Sequence, residues 1–398
     1  MANAASQERL PEHFPTAIVS SMAFLVVFAA AAAPIPLYST YQEAIGITDS
    51  EVSLTIVFYL VGCMVVLFFI GKLSDAFGRR PLTAVSLALC ILGCALFMGL
   101  DSGLGLQLAR FVQGLSAAFA MSATCAYVVD SAYDRYRTLG IAISSCGSLI
   151  GITIGSLATG LIGSALADFN VVYMVLIVWA ALVLVALPFV HETVPKARRI
   201  PPRQAIHPIL SIPKSVRGMY PIAAGLYICM WGVGMFFQSL SSTVSVAYFG
   251  AAGTLIPSLV LAASMAPSIL GGPLDARLAP KRSLLVTLVL YAVSCVGMLV
   301  SMLAGAIVPY LLFDVLFGLA AGLGLSLGLH LLVSVSDAAD NAEVVSLINF
   351  TAYVGSTIMS TAMTALTTVL ALAPVFAVMA LVGAVVLAPG SVAALKRL

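Results

Sequence analysis

Residues 71–81 read GKLSDAFGRRP and lie between two apolar runs, residues 52–70 and 82–100. Each run approaches the roughly 20 apolar residues that a helix needs to cross the hydrocarbon core of a bilayer. The polar loop contains an aspartate four positions after Gly71 and two consecutive arginines before its proline. The stretch therefore predicts two membrane-spanning helices joined by a short basic turn.

The whole chain has the composition of a polytopic membrane protein. Of its 398 residues, 61% are hydrophobic and 9% are charged, whereas soluble domains carry about 25% charged residues. This composition excludes the soluble globular classes. Twelve apolar runs of spanning length are predicted at residues 16–41, 52–70, 82–100, 104–129, 138–164, 170–190, 219–243, 253–274, 283–303, 307–333, 343–368 and 373–393.

The basic residues lie on one side of this predicted topology. Seventeen of the 18 Lys and Arg residues fall in the two termini and in the even-numbered connections. The odd-numbered connections contain none of them and carry acidic residues instead. By the positive-inside rule we expect a multi-pass protein of the cell inner membrane with both termini in the cytoplasm, which requires an even number of spans.

The longest polar stretch divides the chain into halves of six spans. It is rich in proline and basic residues, and we interpret it as a cytoplasmic linker. The predicted domains are an N-terminal bundle over residues 1–190, the linker over 191–218 and a C-terminal bundle over 219–398.

The two halves repeat weakly. Residues 271–282, GGPLDARLAPKR, keep the Gly-to-Asp spacing of residues 71–81 at an offset of 200. In the fourth and tenth spans, Gly114 and Gly318 correspond at an offset of 204. Matching features at a nearly constant offset indicate an internal duplication.

Two motifs identify a family. GKLSDAFGRR at residues 71–80 matches the loop signature between helices two and three of the major facilitator superfamily, and Arg110, Gln113 and Gly114 match the helix-four signature of its drug:proton antiporter branch. On these motifs the whole chain resembles that superfamily. The resemblance implies an all-α polytopic fold, with twelve transmembrane helices in two pseudo-symmetric six-helix bundles that work by alternating access.

The loop motif has a physical interpretation of its own. Its glycines permit tight turning, and Asp75 and Arg79 are spaced to pair across one helical turn. The alternative is that these charges only fix the orientation in the membrane. In the family the aspartate faces the start of helix eleven, where Glu343 would weaken the contact. The resemblance assigns a cytoplasmic conformational latch to Gly71, Asp75, Gly78, Arg79, Arg80 and Asp130.

Two charges are predicted deep in the membrane, Arg110 and Asp314. Each should cost about 2.5 to 3.5 kcal/mol to insert unless it is paired or hydrated. They correspond in the repeat, and the resemblance places both beside one central cavity. Asp314 is the candidate proton carrier, influenced by the approach of Arg110, and Arg110 could instead bind an anionic substrate. Alternatively, Arg110 only bonds backbone carbonyls and Asp314 is hydrated near the outer interface.

Further cavity residues follow from helical spacing. Polar groups beside aromatic rings would suit an amphiphilic ligand, although such residues are also interface anchors or packing residues. In the first helix, Pro34 can loosen the segment that carries Tyr38 and Tyr41. The candidates are Tyr38, Tyr41, Gln113, Tyr227, Trp231, Gln238, Asn349 and Tyr353.

Enzyme signatures are weak. Residues 324–328 fit the G-x-S-x-G pattern, but that motif needs a strand-to-helix turn and here lies within an apolar span. His330 points about 160° away from Asp314 around an ideal helix, so no Asp–His relay is expected. The four histidines have no metal-ligand spacing, and no phosphate-binding loop occurs. We therefore expect no enzymatic activity, no metal, no cofactor and no nucleic-acid partner.

The sequence thus predicts a secondary transporter, most simply a monomeric proton-coupled exporter of a small organic compound. In the fifth span, GITIGSLATG at residues 151–160 has Ser156 and Thr159 where the antiporter pattern has a proline and a glycine. The first span also lacks the acidic residue common in cation exporters. A proton or sodium symporter importing an organic anion therefore remains open, as does a non-transporting membrane sensor of the same fold.

Overall fold

The computed structural model describes residues 14–70, 73–132, 137–166, 168–195, 199, 201, 212–251, 253–336 and 341–397. Throughout these residues the regular secondary structure is helical. Long apolar helices are the expected result, because a helix satisfies its own backbone hydrogen bonds in a medium that offers none. Of the predicted linker, residues 196–198, 200 and 202–211 lie outside this description.

The N-terminal half contains six long helices. Two of them continue past a local irregularity: α1 through a 3₁₀ turn at Ile35–Leu37 into a short helix Tyr38–Ile45, and α4 through a π-helical turn at Ala120–Thr124 into Cys125–Ser131. The helices are α1 (Phe14–Ala32), α2 (Asp49–Ile70), α3 (Arg79–Met98), α4 (Gly103–Phe119), α5 (Arg137–Ala165) and α6 (Asn170–Ala186).

The C-terminal half repeats this arrangement. Here α8 continues through a 3₁₀ turn at Ala266–Leu270 into the short helix Gly271–Asp275. The helices are α7 (Tyr220–Phe249), α8 (Leu255–Met265), α9 (Pro280–Leu303), α10 (Ile307–Val333), α11 (Asn341–Thr367) and α12 (Leu372–Arg397).

Ten helical segments of the described residues are long and apolar enough to cross a membrane, from Pro15–Ile45 to Ile307–Val333. Two further long helices, α11 and α12, complete the set of twelve, and α12 contains the shorter apolar segment Leu372–Ala388. The predicted twelve-helix architecture is confirmed.

The first span is interrupted, where the sequence predicted one apolar run over residues 16–41. Proline has no backbone N–H, so Pro34 cannot donate to the carbonyl of Ala30 and Pro36 cannot donate to that of Ala32. The chain tightens into a 3₁₀ turn, in which the N–H of Leu37 donates to the carbonyl of Pro34 at 3.0 Å. Backbone carbonyls are therefore left free in the middle of the membrane.

The repeat is visible in the closest helix contacts. A Cβ at Gly114 of α4 would lie 2.1 Å from the backbone oxygen of Tyr59 in α2, and a Cβ at Gly318 of α10 would lie 2.5 Å from that of Ser264 in α8. The two glycines are 204 residues apart and their partners 205. The same backbone-to-backbone approach thus occurs in both bundles.

Hydrogen bonds between the bundles lie toward one end, opposite the 73–80 loop. The hydroxyl of Ser242 in α7 bonds the Ser39 hydroxyl at 2.7 Å, and Ser53 of α2 bonds Thr364 of α11 at 3.1 Å. On the α5 side, the Thr254 hydroxyl donates to the carbonyl of Gly160 at 3.1 Å. The bundles are joined at the end that the basic-residue pattern assigns to the outside.

Candidate functional site

The loop between α2 and α3 forms a charge cluster within the N-terminal bundle. Arg79 Nη1 lies 2.7 Å from Asp75 Oδ1, as the spacing predicted, and its Nε lies 3.2 Å from Asp130 Oδ2 at the end of the α4 span. Gly78 is buried and adopts φ +104°, which favours glycine. Gly71 lies outside the described residues, as does the side chain of Glu343, so the expected weak contact with helix eleven stays a prediction.

Glu192 completes this cluster, and sequence reasoning missed it. Its carboxylate accepts hydrogen bonds from the backbone N–H groups of Arg79 at 2.9 Å and Arg80 at 3.0 Å. These are the first two residues of α3, whose N–H groups have no helical partner. A signal was present: Glu192 lies two residues after the end of the sixth span and is the one acid within the basic linker.

Two further contacts tie the loop to the end of α6. The side chain of Arg80 donates from Nη1 to the carbonyls of Pro188 at 3.3 Å and Val190 at 3.1 Å. Thr193 donates to Asp130 at 3.4 Å. The predicted latch residues therefore join the start of α3 to the ends of α4 and α6.

Arg110 is fully buried in α4, with 1% of its surface exposed. Its Nη1 donates to the backbone carbonyl of Ala31 at 2.6 Å and to Gln113 Oε1 at 2.7 Å. The guanidinium carbon also lies 4.8 Å from the centre of the Tyr59 ring, within the range of a cation–π interaction. The buried charge is thus stabilised by the carbonyl and amide dipoles and by the aromatic ring of Tyr59.

Gln113 explains why α1 can be broken in the membrane. Its Nε2 donates at 2.8 Å to the carbonyl of Ala30, the group that Pro34 leaves without a helical donor. Arg110 bonds the next carbonyl along the chain. Together the two α4 side chains form a clamp on the break in α1, which is one of the alternatives open for Arg110 in the sequence.

Asp314 lies in α10 and is 0% exposed. Among the described residues, neither of its carboxylate oxygens has a hydrogen-bond partner, and neither has the hydroxyl of Tyr310 one turn earlier. An ionised carboxylate in apolar surroundings without partners is strongly destabilised. The site therefore suits a neutral, protonated carboxylic acid.

The structure does not bring Arg110 and Asp314 together. Arg110 faces α1 and Tyr59, and the ion pairs of the described residues include none between the two charges. Their equivalence in the repeat puts each on its own bundle, so equal depth does not imply contact. The expected influence of Arg110 on Asp314 is absent from this conformation.

The predicted cavity residues of the C-terminal bundle partly converge. Trp231 of α7 and Tyr353 of α11 meet edge to face with ring centres 5.3 Å apart. Tyr227 is buried on the same side of α7 and packs against Gly328 of α10.

The two remaining candidates of this bundle have weaker surroundings. Among the described residues, the amide of Gln238 bonds only the sulfur of Met235 in its own helix, at 3.8 Å. Asn349 is half-buried in α11.

The two tyrosines beyond the break in α1 have different surroundings. Tyr38 is 0% exposed, and its hydroxyl has no hydrogen-bond partner within the described part of the chain. The hydroxyl of Tyr41 bonds that of Tyr173 in α6 at 2.6 Å, and the Tyr173 ring stacks on Phe97 at 5.3 Å. Tyr41 therefore belongs to the packing of the N-terminal bundle, and Tyr38 is the better cavity candidate.

One expectation about histidine is wrong. His330 does meet an aspartate, because Asp275 Oδ2 lies 3.3 Å from His330 Nδ1 and also 3.3 Å from the Ser326 hydroxyl. Helical geometry in the sequence relates His330 only to Asp314, which lies in the same helix. This group is no catalytic triad, because serine and histidine both bond the same carboxylate oxygen and the serine has no base.

The helix-five segment packs between the bundles. A Cβ at Gly155 would lie 2.0 Å from the backbone oxygen of Ala29 in α1. Ser156, which replaces the expected proline, donates to the carbonyl of Ser258 in α8 at 3.1 Å. The departure at Ser156 thus forms a hydrogen bond across the interface, while the Thr159 hydroxyl donates within its own helix to the carbonyl of Gly155 at 2.9 Å.

Two curated relatives match about a third of the chain. The multidrug resistance protein MdtM of Salmonella typhimurium is 33% identical over 131 residues, which cover 32% of this chain and 29% of the relative. The quinolone resistance protein NorB of Staphylococcus aureus is 31% identical over 133 residues, covering 33% of this chain and 27% of the relative. The matches thus span less than a third of these relatives.

The family profile covers far more of the chain than these relatives do. The profile of the Major Facilitator Superfamily matches residues 20–360, which include the loop cluster, the clamp on α1 and Asp314. Motifs, twelve helices, duplicated packing and this match agree, so the chain is a multi-pass membrane protein that belongs to the Major Facilitator Superfamily.

Proposed function

We propose that the protein is a proton-coupled exporter of a small organic compound. It works as a monomer by alternating access in the inner (cytoplasmic) membrane, with both termini in the cytoplasm. The names of the two relatives concern drug resistance, which supports export, and the placement of the basic residues supports the orientation.

The observation that carries the proposal is the environment of Asp314. Its carboxyl group is fully buried and without a hydrogen-bond partner among the described residues. Such a group is stable when protonated and becomes ionised once water reaches it. A conformational change that alternately buries and hydrates Asp314 would bind a proton on one side and release it on the other.

The bundle contacts supply the matching conformational element. In this conformation the hydroxyls of Ser39, Ser53 and Thr254 hold the two bundles together near their outer ends. Opening toward the outside must break these neutral hydrogen bonds, each worth about 1 kcal/mol. They are weak enough to be exchanged during a transport cycle.

Arg110 favours export over import of an organic anion. Its Nη1 is engaged with Ala31 and Gln113 inside the N-terminal bundle, so binding an anion would require breaking the clamp on α1. We assign it a positioning role at the broken first helix. Trp231 and Tyr353, which meet at 5.3 Å, offer an aromatic wall suited to an amphiphilic cargo.

The loop cluster is proposed as the latch of the cytoplasmic side. Its charges are satisfied within the N-terminal bundle, by Asp75, Arg79 and Asp130. An ordered cluster stiffens the ends of α3 and α4 and lets the bundle move as a rigid body. Glu192 is added to the predicted latch because it fixes the start of α3.

The test uses the purified protein in liposomes, with a quinolone and a panel of other small organic compounds as cargo. Wild-type protein should accumulate cargo when a pH gradient is imposed. Asp314→Asn should lose this dependence on the gradient, whereas Glu43→Gln, an exposed carboxylate at the outer end of the α1 span, should keep it. Equal transport with and without the gradient, together with an unchanged Asp314→Asn, would show that the coupling proposal is wrong.

A further inference from the structure

A buried aspartate lies where the C-terminal bundle repeats the loop of the N-terminal one. The Asp275 side chain is 4% exposed and accepts three side-chain hydrogen bonds. Ser283 donates to Oδ1 at 2.5 Å, while Ser326 and His330 lie 3.3 Å from Oδ2. Both carboxylate oxygens of Asp275 therefore have hydrogen-bonding partners.

These bonds join three separate elements. Asp275 ends the short helix Gly271–Asp275 that continues α8, Ser283 lies in the first turn of α9, and Ser326 and His330 are one turn apart on α10. The short helix is also in direct backbone contact with α10, because a Cβ at Gly271 would lie 2.0 Å from the carbonyl carbon of Gly322. Asp275 therefore anchors the end of α8 to the helix that carries Asp314.

The N-terminal counterpart uses a permanent cation for the same purpose. Asp75 pairs with Arg79 at 2.7 Å, four residues later. Four residues after Asp275 the chain has Ala279, and the partner is supplied by α10 as an imidazole. The C-terminal aspartate is thus held by a histidine, a side-chain type that can be either neutral or charged.

His330 can exchange protons with the surrounding solution. Its side chain is 49% exposed, while the carboxylate that it faces is buried. In the protonated form the imidazolium makes a charge-assisted hydrogen bond, which is roughly twice as strong as a neutral one. The tie between Asp275 and α10 is therefore strong at acidic pH and weaker at alkaline pH.

No other charged group of the described residues is ion-paired with Asp275 or His330. Arg277, Lys281 and Arg282 are exposed, and the ion pairs of the described residues connect none of them to Asp275. Other titratable groups toward this end of the packed elements include Tyr220, Tyr227 and the exposed Lys214 and Arg217 toward α7, and Asp337, Asp340, Glu343, Lys396 and Arg397, whose side chains lie outside the described residues.

We infer that Asp275 and His330 form a proton-binding site at the cytoplasmic face, separate from Asp314, that sets how firmly the end of α8 is held to α10. The inference rests on the proposed transport function. If α10 moves during transport, a pH-dependent bond between Asp275 and His330 makes that movement sensitive to cytoplasmic pH. Acidic pH then holds the two helices together more firmly than alkaline pH does.

The test is hydrogen–deuterium exchange of the 271–283 segment in the full-length protein in lipid nanodiscs, at about pH 6 and about pH 8, corrected for intrinsic exchange rates. In wild type, protection should fall about fivefold at the higher pH, the change expected when a charge-assisted bond becomes neutral. His330→Gln should remove the pH response, and His330→Lys, a permanent cation, should keep the segment protected at both values.

Ser326→Ala is the matched control. It removes a neutral donor from the same carboxylate oxygen, so it should lower protection equally at both pH values and leave their ratio unchanged. A wild-type segment equally protected at both pH values, or a His330→Gln variant that keeps the pH response, would overturn the inference. Because exchange is read without any cargo, this outcome is independent of whether Asp314 couples transport to protons.

Discussion

Arg110 and Asp314 occupy equivalent positions in the two bundles, 204 residues apart, yet their surroundings differ. Arg110 is bonded to a backbone carbonyl and to Gln113, whereas Asp314 has no hydrogen-bond partner in the described part of the chain. The charge of Arg110 is permanent, so burial requires neighbouring groups that stabilise it. That of Asp314 can be neutralised by a proton, and therefore needs none.

The corresponding loops after α2 and α8 also differ in whether the cationic partner of their aspartate has a permanent charge. Asp75 is paired with Arg79, while Asp275 is paired with His330. A duplicated backbone thus carries permanent cations in the N-terminal half and protonatable groups in the C-terminal half. This difference supports the proposal that one bundle serves as a fixed frame and the other responds to protons.

The largest expected effect separates the two buried charges. Arg110→Leu should destabilise the protein by about 3 kcal/mol, because carbonyl and amide groups inside the membrane lose their charged donor. Asp314→Leu should be neutral or stabilising, because no hydrogen bond is lost and a buried acid is replaced by an apolar group. Thermal unfolding of both variants in the same detergent measures the difference. Equal loss of stability would remove the distinction between the two halves.

The second prediction tests the shared packing. Gly114→Ala and Gly318→Ala should each destabilise by about 1 to 3 kcal/mol, because the added methyl group meets the backbone of the neighbouring helix. The distances of 2.1 and 2.5 Å predict that Gly114→Ala is the more severe. Gly234→Ala is the control, since its Cβ would meet nothing within 4 Å. If all three variants unfold at one temperature, the close approach is not a stability determinant.

The third prediction compares the starts of α3 and α9. Glu192→Ala removes a carboxylate that caps two N–H groups of α3, and should cost about 1 to 2 kcal/mol. The helix α9 begins with Pro280, which has no N–H to cap, so Pro280→Ala should cost less than about 1 kcal/mol. Unfolding midpoints, or exchange rates of the first turn of each helix, distinguish the two. A harmless Glu192→Ala would contradict the capping role.

The smallest effect on stability is expected at the permanent loop pair. Asp75 is 40% exposed and Arg79 16%, so solvent screening limits the pair to about 0.5 kcal/mol, and Asp75→Asn should hardly shift the unfolding temperature. If the cluster is a latch, the same variant should still slow transport severalfold in liposomes. A variant with normal stability and normal transport would leave the charges with the role of fixing orientation only.

Much of the fold could be predicted because hydrophobic length is a local property. Twelve runs of apolar residues must become twelve helices wherever backbone groups have no water to bond. The break in α1 could be anticipated from Pro34 but not located in detail, because its form depends on which donors from α4 reach the carbonyls of Ala30 and Ala31.

The candidate site was less predictable. Helical spacing correctly brought Asp75 to Arg79, whereas the contact of Trp231 with Tyr353 joins two different helices. It could not reveal contacts between residues far apart in the chain. Glu192 at the start of α3 and Asp275 beside His330 were both missed, since each contact joins helices whose relative rotation no local pattern specifies.

The sequence alone determined that this chain crosses the membrane twelve times, that its halves are related and that Arg110 and Asp314 are buried charges. These features depend on hydrophobicity, charge and periodicity, which are properties of the residues in order. Only the tertiary structure decided which charges have partners. Hydrogen bonds and ion pairs act over about 3 Å, a distance fixed by how helices pack and by nothing that a single helix contains.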